Sequence, residues 1–202
     1  MNNSKDKYVI IKEYVMPTIV LVLICFVVTF SLVTTYKVTA PIIKATAEKS
    51  AEMARDQVLS GSGGFKLIAS REQASVIPYE DNQTGDKLEN INIKSNIIDI
   101  YKANNGIGYV ITSVDQGYGG EIKVITGFSK NGLIQNVMLL EQKETPGLGT
   151  KAAKKDFTDK FIGQDNVESV DTISGATISS SAVKRAIAAA LDQMSSIKEG
   201  GL

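Results

Sequence analysis

Residues 97–142 read IIDIYKANNGIGYVITSVDQGYGGEIKVITGFSKNGLIQNVMLLEQ, and the punctuation of this stretch decides the fold. Four apolar runs, Ile97–Lys102, Ile107–Val114, Glu121–Phe128 and Leu133–Leu140, are separated by Asn104-Asn105-Gly106, Gly117-Tyr118-Gly119-Gly120 and Lys130-Asn131-Gly132. Asn-Gly between apolar runs reverses a chain tightly, because both residues tolerate positive φ. Runs this short and this rich in Ile, Val and Tyr predict an antiparallel meander. Nine of the 17 glycines fall between Gly106 and Gly149, which fits tight turns and close backbone approaches.

Working outward, Lys151–Phe161 predicts a short helix. A last helix is expected from about Ser179 to Ile197, where Val183, Ile187, Leu191 and Met194 recur at helical spacing. Upstream, residues 65–95 read as loops with short strands. Before them Ile43, Ala47, Ala51, Ala54 and Val58 form the apolar stripe of an amphipathic helix that ends near Gly61. The expectation is an α+β domain over residues 65–202, with an antiparallel sheet packed by helices and a helical connector over residues 37–64.

The first part of the chain has a different character. Tyr14 to Tyr36 is a run of 23 residues without a charge, dominated by Val, Ile, Leu and Phe. As a helix it measures roughly 34 Å, enough for a hydrocarbon core of ~30 Å. Pro17 lies in its first turn, where proline is tolerated, and Tyr14 and Tyr36 bracket it as interfacial aromatics. The run is longer than the core of a cleaved signal, and Pro41 follows the one candidate cut after Ala40, so an uncleaved anchor is expected. Lys5, Lys7 and Lys12 lean residues 1–13 toward the cytoplasm and the large domain toward the outside. Cys25 falls within the span.

Composition closes several doors. Lys and Arg number 22 against 22 Asp and Glu, which leaves no electrostatic footprint for nucleic acid. There is no histidine, so no Ser-His-Asp or Cys-His triad and no imidazole ligand for a metal. One cysteine alone makes no intrachain disulfide, zinc site or iron–sulfur cluster. No metal and no catalytic side chain are expected, and any redox chemistry must be borrowed from a cofactor.

Two motifs exceed what structure requires. Glu144-Thr145-Pro146-Gly147-Leu148-Gly149-Thr150-Lys151 joins the last expected strand to a helix. Its amides can approach a planar ligand, with Glu144, Thr145 and Lys151 as polar handles, or it is a plain turn capped by Thr150. Asp171 to Ser181 leads into the last helix with six Ser or Thr in ten residues around Gly175-Ala176. That is either an N-cap or a seat for a phosphate, since helix N-termini present free N–H groups. The Gly-x-x-x-x-Gly-Lys spacing of a nucleotide loop is missing.

Ser174-Gly175-Ala176-Thr177-Ile178-Ser179 resembles the flavinylation motif of FMN-binding domains, in which the threonine is esterified to the FMN phosphate. Glu144 to Lys151 resembles the Glu-Thr-Pro-Gly-Leu-Gly-x-Lys segment of the same domain, and Gly119-Gly120 before the third strand also fits. With one span and this length, nearly the whole chain resembles the G subunits of Rnf complexes, ion-translocating ferredoxin:NAD oxidoreductases. The homologous C subunits of sodium-translocating NADH:quinone reductases, usually longer, are a close second. Gln142 departs from the pattern, since many relatives carry histidine there, and it has no assigned role.

The resemblance implies FMN held covalently as a phosphodiester on Thr177 Oγ. It implies a pocket shaped by Ser174, Gly175 and Ala176, with Ser179 completing the motif read by a flavin transferase. Glu144, Thr145, Leu148, Gly149 and Lys151 are implied near the cofactor, where Lys151 can offset the charge of reduced flavin. Covalent attachment makes sense outside the cytoplasm. There even a nanomolar site, about −12 kcal/mol, empties by dilution. The implied protein is a single-pass electron-relay subunit in a bacterial or archaeal membrane, working with the other subunits of an Rnf-type complex and without turnover of its own. A non-pumping extracytoplasmic electron-transfer chain, and a non-redox sensor or assembly module, remain alternatives.

Overall fold

Strand-forming residues between Gly- and Asn-rich reversals give a meander, and the computed structural model, which describes residues 16–71 and 93–199, contains one. Its strands are β1 (Phe65–Ser70), β2 (Ile97–Ala103), β3 (Gly108–Gln116), β4 (Glu121–Ser129) and β5 (Ile134–Glu141). They pair antiparallel in sequence order, β1-β2-β3-β4-β5. The last four lie within two residues of their expected bounds. Of the expected features, Tyr14, residues 1–13 and part of the 65–95 segment fall outside the described residues.

The pleat sends alternate side chains to opposite faces. On β3, Tyr109 and Ile111 join one core cluster and Val110 the other; on β4, Val124 and Phe128 oppose Ile125. Irregularities in register adjust this phase. Ile97 and Ile100, three apart, reach the same cluster because the β2–β3 register shifts between Ile97 and Asp99.

The larger cluster is roofed by the final helix, Thr177–Glu199, which buries Ala182, Val183, Ala186, Ile187, Ala190, Met194 and Ile197. The helix begins two residues earlier and ends two later than its sequence pattern predicts. Between β5 and this helix, residues 151–161 do not form one continuous helix. A 3-10 turn (Gly149–Ala153), a short helix (Lys155–Thr158) and a second 3-10 turn (Asp159–Phe161) replace it, because Lys154 is extended at φ −77°, ψ 145°. Phe157 and Phe161 from this stretch meet edge to face, with ring centroids 5.3 Å apart, and fill the same cluster.

The first helix runs from Met16 to Val58, through Pro41. We number the helices α1 (Met16–Val58), α2 (Lys155–Thr158) and α3 (Thr177–Glu199). The chain divides into two compact units at Lys49/Ser50, inside the stretch expected as a helical connector. In the first unit α1 is a candidate membrane span with a mean hydropathy of 2.6 in its most apolar window. Thr29, Thr34, Thr35 and Thr39 each donate their hydroxyl to the carbonyl four residues earlier, at 2.7–2.9 Å. That satisfies groups for which lipid offers no partner. In the second unit Ala54, Val58 and Leu59 form the smaller cluster with Ala103, Val110 and Ile125. Arg55 places its guanidinium 4.1 Å from the Tyr101 ring centroid. Of the stripe residues in this second unit, Ala54 and Val58 are buried and Ala51 is half-buried.

Candidate functional site

After β5 the chain turns back on itself through Thr145–Thr150. Thr145 C=O accepts from Leu148 N–H at 3.1 Å, and Gly147 N–H donates to Thr150 Oγ1 at 2.9 Å. Thr150 thus braces the loop from within the 3-10 turn Gly149–Ala153, whose start has no side-chain cap. Thr145 and Leu148 are exposed on this loop, and Lys151 is half-buried with no ion-pair partner among the described residues.

Glu144 behaves differently. It is only 6 % exposed, and its carboxylate points into the protein. Oε1 accepts from Gly119 N–H at 3.0 Å and Oε2 from Ser179 O–H at 2.6 Å. Gly149 closes over the same carboxylate: a Cβ there would lie 2.7 Å from Ser179 Oγ and 2.8 Å from Glu144 Cβ. Two motifs far apart in sequence, 35 residues between Glu144 and Ser179, therefore meet, together with the turn between β3 and β4.

The start of α3 is set by its own hydroxyls. Gly175 adopts φ +76°, a conformation that costs other residues, and Ala176 is buried. Ser180 Oγ accepts from Ile173 N–H at 3.0 Å and donates to Ala176 C=O at 2.9 Å. The first intrahelical bond here runs from Ser180 N–H to Ala176 C=O. The N–H groups of Thr177, Ile178 and Ser179 consequently have no acceptor within the helix. Ser179 and Ser180 are buried, while Ser174 and Thr177 are exposed. Thr177 makes only a long contact, 3.5 Å, to Ile173 C=O. The turn is secured without it, and the residue is exposed.

Three exposed apolar side chains adjoin the joined residues in sequence, and sequence reasoning singles out only Leu148. Tyr118, 71 % exposed, adjoins Gly119; Leu148 adjoins Gly149; Ile178 adjoins Ser179. An aromatic residue set among glycines in Gly117-Tyr118-Gly119-Gly120 is the available signal for the first. Arg185 also escapes the sequence reading. Its Nε and Nη2 donate to Asp115 Oδ1 at 3.1 and 2.8 Å, and Nη2 also donates to Gln116 C=O at 3.2 Å. Lys184 Nζ donates to Val170 C=O. The buried Oε1 of Gln142 has no hydrogen-bond partner among the described residues. Where the loop leaves β5, the Lys123 ammonium hydrogen-bonds the Glu141 carboxylate and, aided by the charge of Lys143, holds its pKa below the usual carboxylate range.

These features fit FMN. A phosphate monoester or diester suits a helix start with free N–H groups. An exposed hydroxyl stands at that point, and exposed apolar surface lies near it for a planar ring. Among the described residues no group of three or more His, Cys, Asp or Glu side chains could hold a metal ion.

Comparison with known proteins agrees. Residues 117–192, from the Gly117 turn into α3, match the FMN-binding domain. The chain is 29 % identical over 126 residues to the G subunit of the proton-translocating ferredoxin:NAD(+) oxidoreductase complex of Clostridium ljungdahlii, covering 57 % of this chain and 68 % of that protein. To the G subunit of the Na(+)-translocating complex of Acetobacterium woodii it is 29 % identical over 161 residues, 79 % of this chain and 74 % of the relative. The G subunit of the ion-translocating oxidoreductase complex of Methanosarcina acetivorans is 35 % identical over 100 residues, 45 % of this chain and 53 % of the relative. Residues 117–192 are thus similar to the FMN-binding domain, and the chain is similar to the G subunits of ion-translocating oxidoreductase complexes.

Proposed function

We propose that this chain is the membrane-anchored electron-relay subunit of an Rnf-type complex coupling ferredoxin:NAD electron transfer to sodium or proton translocation, with FMN covalently attached to Thr177. The observation that carries the reading is the exposed Thr177 hydroxyl at the first residue of α3, beside N–H groups without helical acceptors.

Attachment forms the bond from Thr177 Oγ to phosphorus, releases the hydroxyl proton and expels a leaving group. FMN itself offers only hydroxide to expel. The donor must therefore be an anhydride such as FAD, which loses AMP, and a flavin transferase performs the exchange. The phosphodiester keeps one negative charge, which the start of α3 stabilises by about 0.3–1 kcal/mol where exposed. Ser174, Gly175 and Ala176 shape the turn beneath it. Leu148 and Thr145, with Tyr118 and Ile178, border the ring, and Lys151 supplies positive charge. Bound FMN supplies one- and two-electron transfer.

The anchor places the N-terminus in the cytoplasm and the flavin domain outside. Lys5, Lys7 and Lys12 support that side, and covalent retention suits a compartment where free flavin is scarce. The span also confines the flavin near its membrane partners, raising their effective concentration. The names of the relatives support an Rnf-type assembly over a quinone reductase.

The test is a denaturing gel viewed under ultraviolet light after co-expression with a flavin transferase. A fluorescent band is expected for the wild type and none for Thr177→Ala. A dark wild-type band refutes covalent attachment. For the assembly, purification with native partners is expected to give ferredoxin-dependent NAD reduction; a purified quinone reductase would point to the other complex.

A further inference from the structure

We infer that Glu144 is a positioning residue that clasps the three segments of the flavin site together, with Ser179 as its partner in the clasp. This rests on the flavin reading above, but its first measurement does not need flavin.

A buried carboxylate must be hydrogen-bonded to be tolerated. Each oxygen of Glu144 takes one donor, and the two donors come from different parts of the chain: Gly119 N–H from the β3–β4 turn and Ser179 O–H from the first turn of α3. The surroundings are built to the carboxylate's outline. A Cβ at Gly117 would collide with Glu144 Oε1 and lie 2.7 Å from Ile122 Cδ1, while one at Gly149 would crowd Ser179 Oγ and Glu144 itself. Backbone from three segments thus closes around the group, where the resemblance alone implied a side chain near the cofactor. Ser179, 2 % exposed, gives its hydroxyl to Glu144 and not to a passing enzyme.

The neighbours of these donors are the residues that face outward. Gly119 adjoins Tyr118, Gly149 adjoins Leu148, and Ser179 lies two residues from Thr177. Fixing Gly119 and Ser179 to one carboxylate therefore fixes the Tyr118 turn relative to the attachment hydroxyl. Glu144 acts through that geometry.

Substitutions separate the alternatives. Glu144→Ala removes both acceptors. Ser179→Ala removes one donor and little volume. Glu144→Gln can keep both links, because its carbonyl accepts from Gly119 and its amide donates to Ser179, whose hydroxyl also accepts. Amide hydrogen exchange at Gly119 is measured first, on the full-length, flavin-free protein in detergent. Glu144→Ala is expected to exchange about tenfold faster than wild type or more, Ser179→Ala in between, and Glu144→Gln close to wild type. The initial rate of flavin incorporation from FAD by a transferase follows, with far-ultraviolet circular dichroism as the folding control. The expected rates fall in the same order, about tenfold for Glu144→Ala, with recovery in Glu144→Gln.

Wild-type exchange at Gly119 in both alanine variants, together with wild-type incorporation, overturns the clasp. If Glu144→Ala does not fold, Ser179→Ala decides by the same criteria. If the wild type takes up no flavin while Gly119 loses protection as expected, the covalent-flavin reading fails and the clasp stands. If exchange changes but incorporation and the visible circular dichroism of the bound flavin do not, the positioning role fails and the flavin reading stands.

Discussion

Glu141 and Glu144 are three residues apart and do opposite things with a carboxylate. Glu144 faces inward and is spent on two internal donors, whereas Glu141 lies at the surface, its Oε2 2.6 Å from Lys123 Nζ. The hydrogen bond from Lys123, then its charge and that of Lys143, lower the Glu141 pKa on folding, against a smaller opposing effect of burial. A carboxylate with a depressed folded-state pKa stabilises the fold above its unfolded value. That contribution is lost as pH falls through the folded value. Because the pair is exposed, less than about 1 kcal/mol is at stake. Glu141→Gln is expected to lower stability slightly at neutral pH and to match the wild type once pH is below the lowered value. Urea denaturation at the two pH values checks this, and a difference that persists in acid contradicts it.

The first three turns of α3 send side chains to the segments around the candidate site. Ser179 reaches Glu144, Ser180 holds Ile173 and Ala176, Lys184 holds Val170, and Arg185 holds Asp115 and Gln116. An Arg185→Gln variant leaves the mostly buried Asp115 carboxylate short of donors. It is expected to cost about 1–2 kcal/mol, read as a lower urea midpoint; an unchanged midpoint would show that the Arg185 link is idle. At this scale the sequence reads well where chemistry is local. Asn-Gly reversals are visible in the letters, so β2 to β5 are found nearly to the residue. The exposed Thr177 and buried Ala176 likewise sit inside a motif that the letters display. What the letters hide depends on register and packing. Nothing near Glu144 announces that it will meet Gly119 and Ser179, because that meeting needs the β4–β5 pairing and the seat of α3 to exist first. The letters put the start of α3 at Ser179, two residues late, because several hydroxyls compete for the cap. Only the folded loop shows that Ser180 does the bracing.

At the scale of the whole chain, an apolar helix and an α+β unit divide anchoring from cofactor binding, and the absence of histidine ceases to be a handicap once the chemistry belongs to FMN. The order of the sheet carries one more consequence, for time. From β2 onward each strand pairs with its predecessor across a short turn, so β2 to β5 can grow hairpin by hairpin from nearby partners. The bonds that assemble the candidate flavin site span 25, 35 and 70 residues, from Gly119 to Glu144, Glu144 to Ser179 and Asp115 to Arg185. Long loops close late, because their entropy must be spent before the contact rewards it. Thr177 is present in the newborn chain, but the surface around it is expected to form last. In refolding from urea with transferase and FAD present, flavin uptake is expected to lag behind the recovery of sheet signal. Uptake by the unfolded chain at the native rate would refute this. On the covalent-flavin proposal, maturation would then serve as its own inspection, since only a chain that had finished folding would receive its flavin.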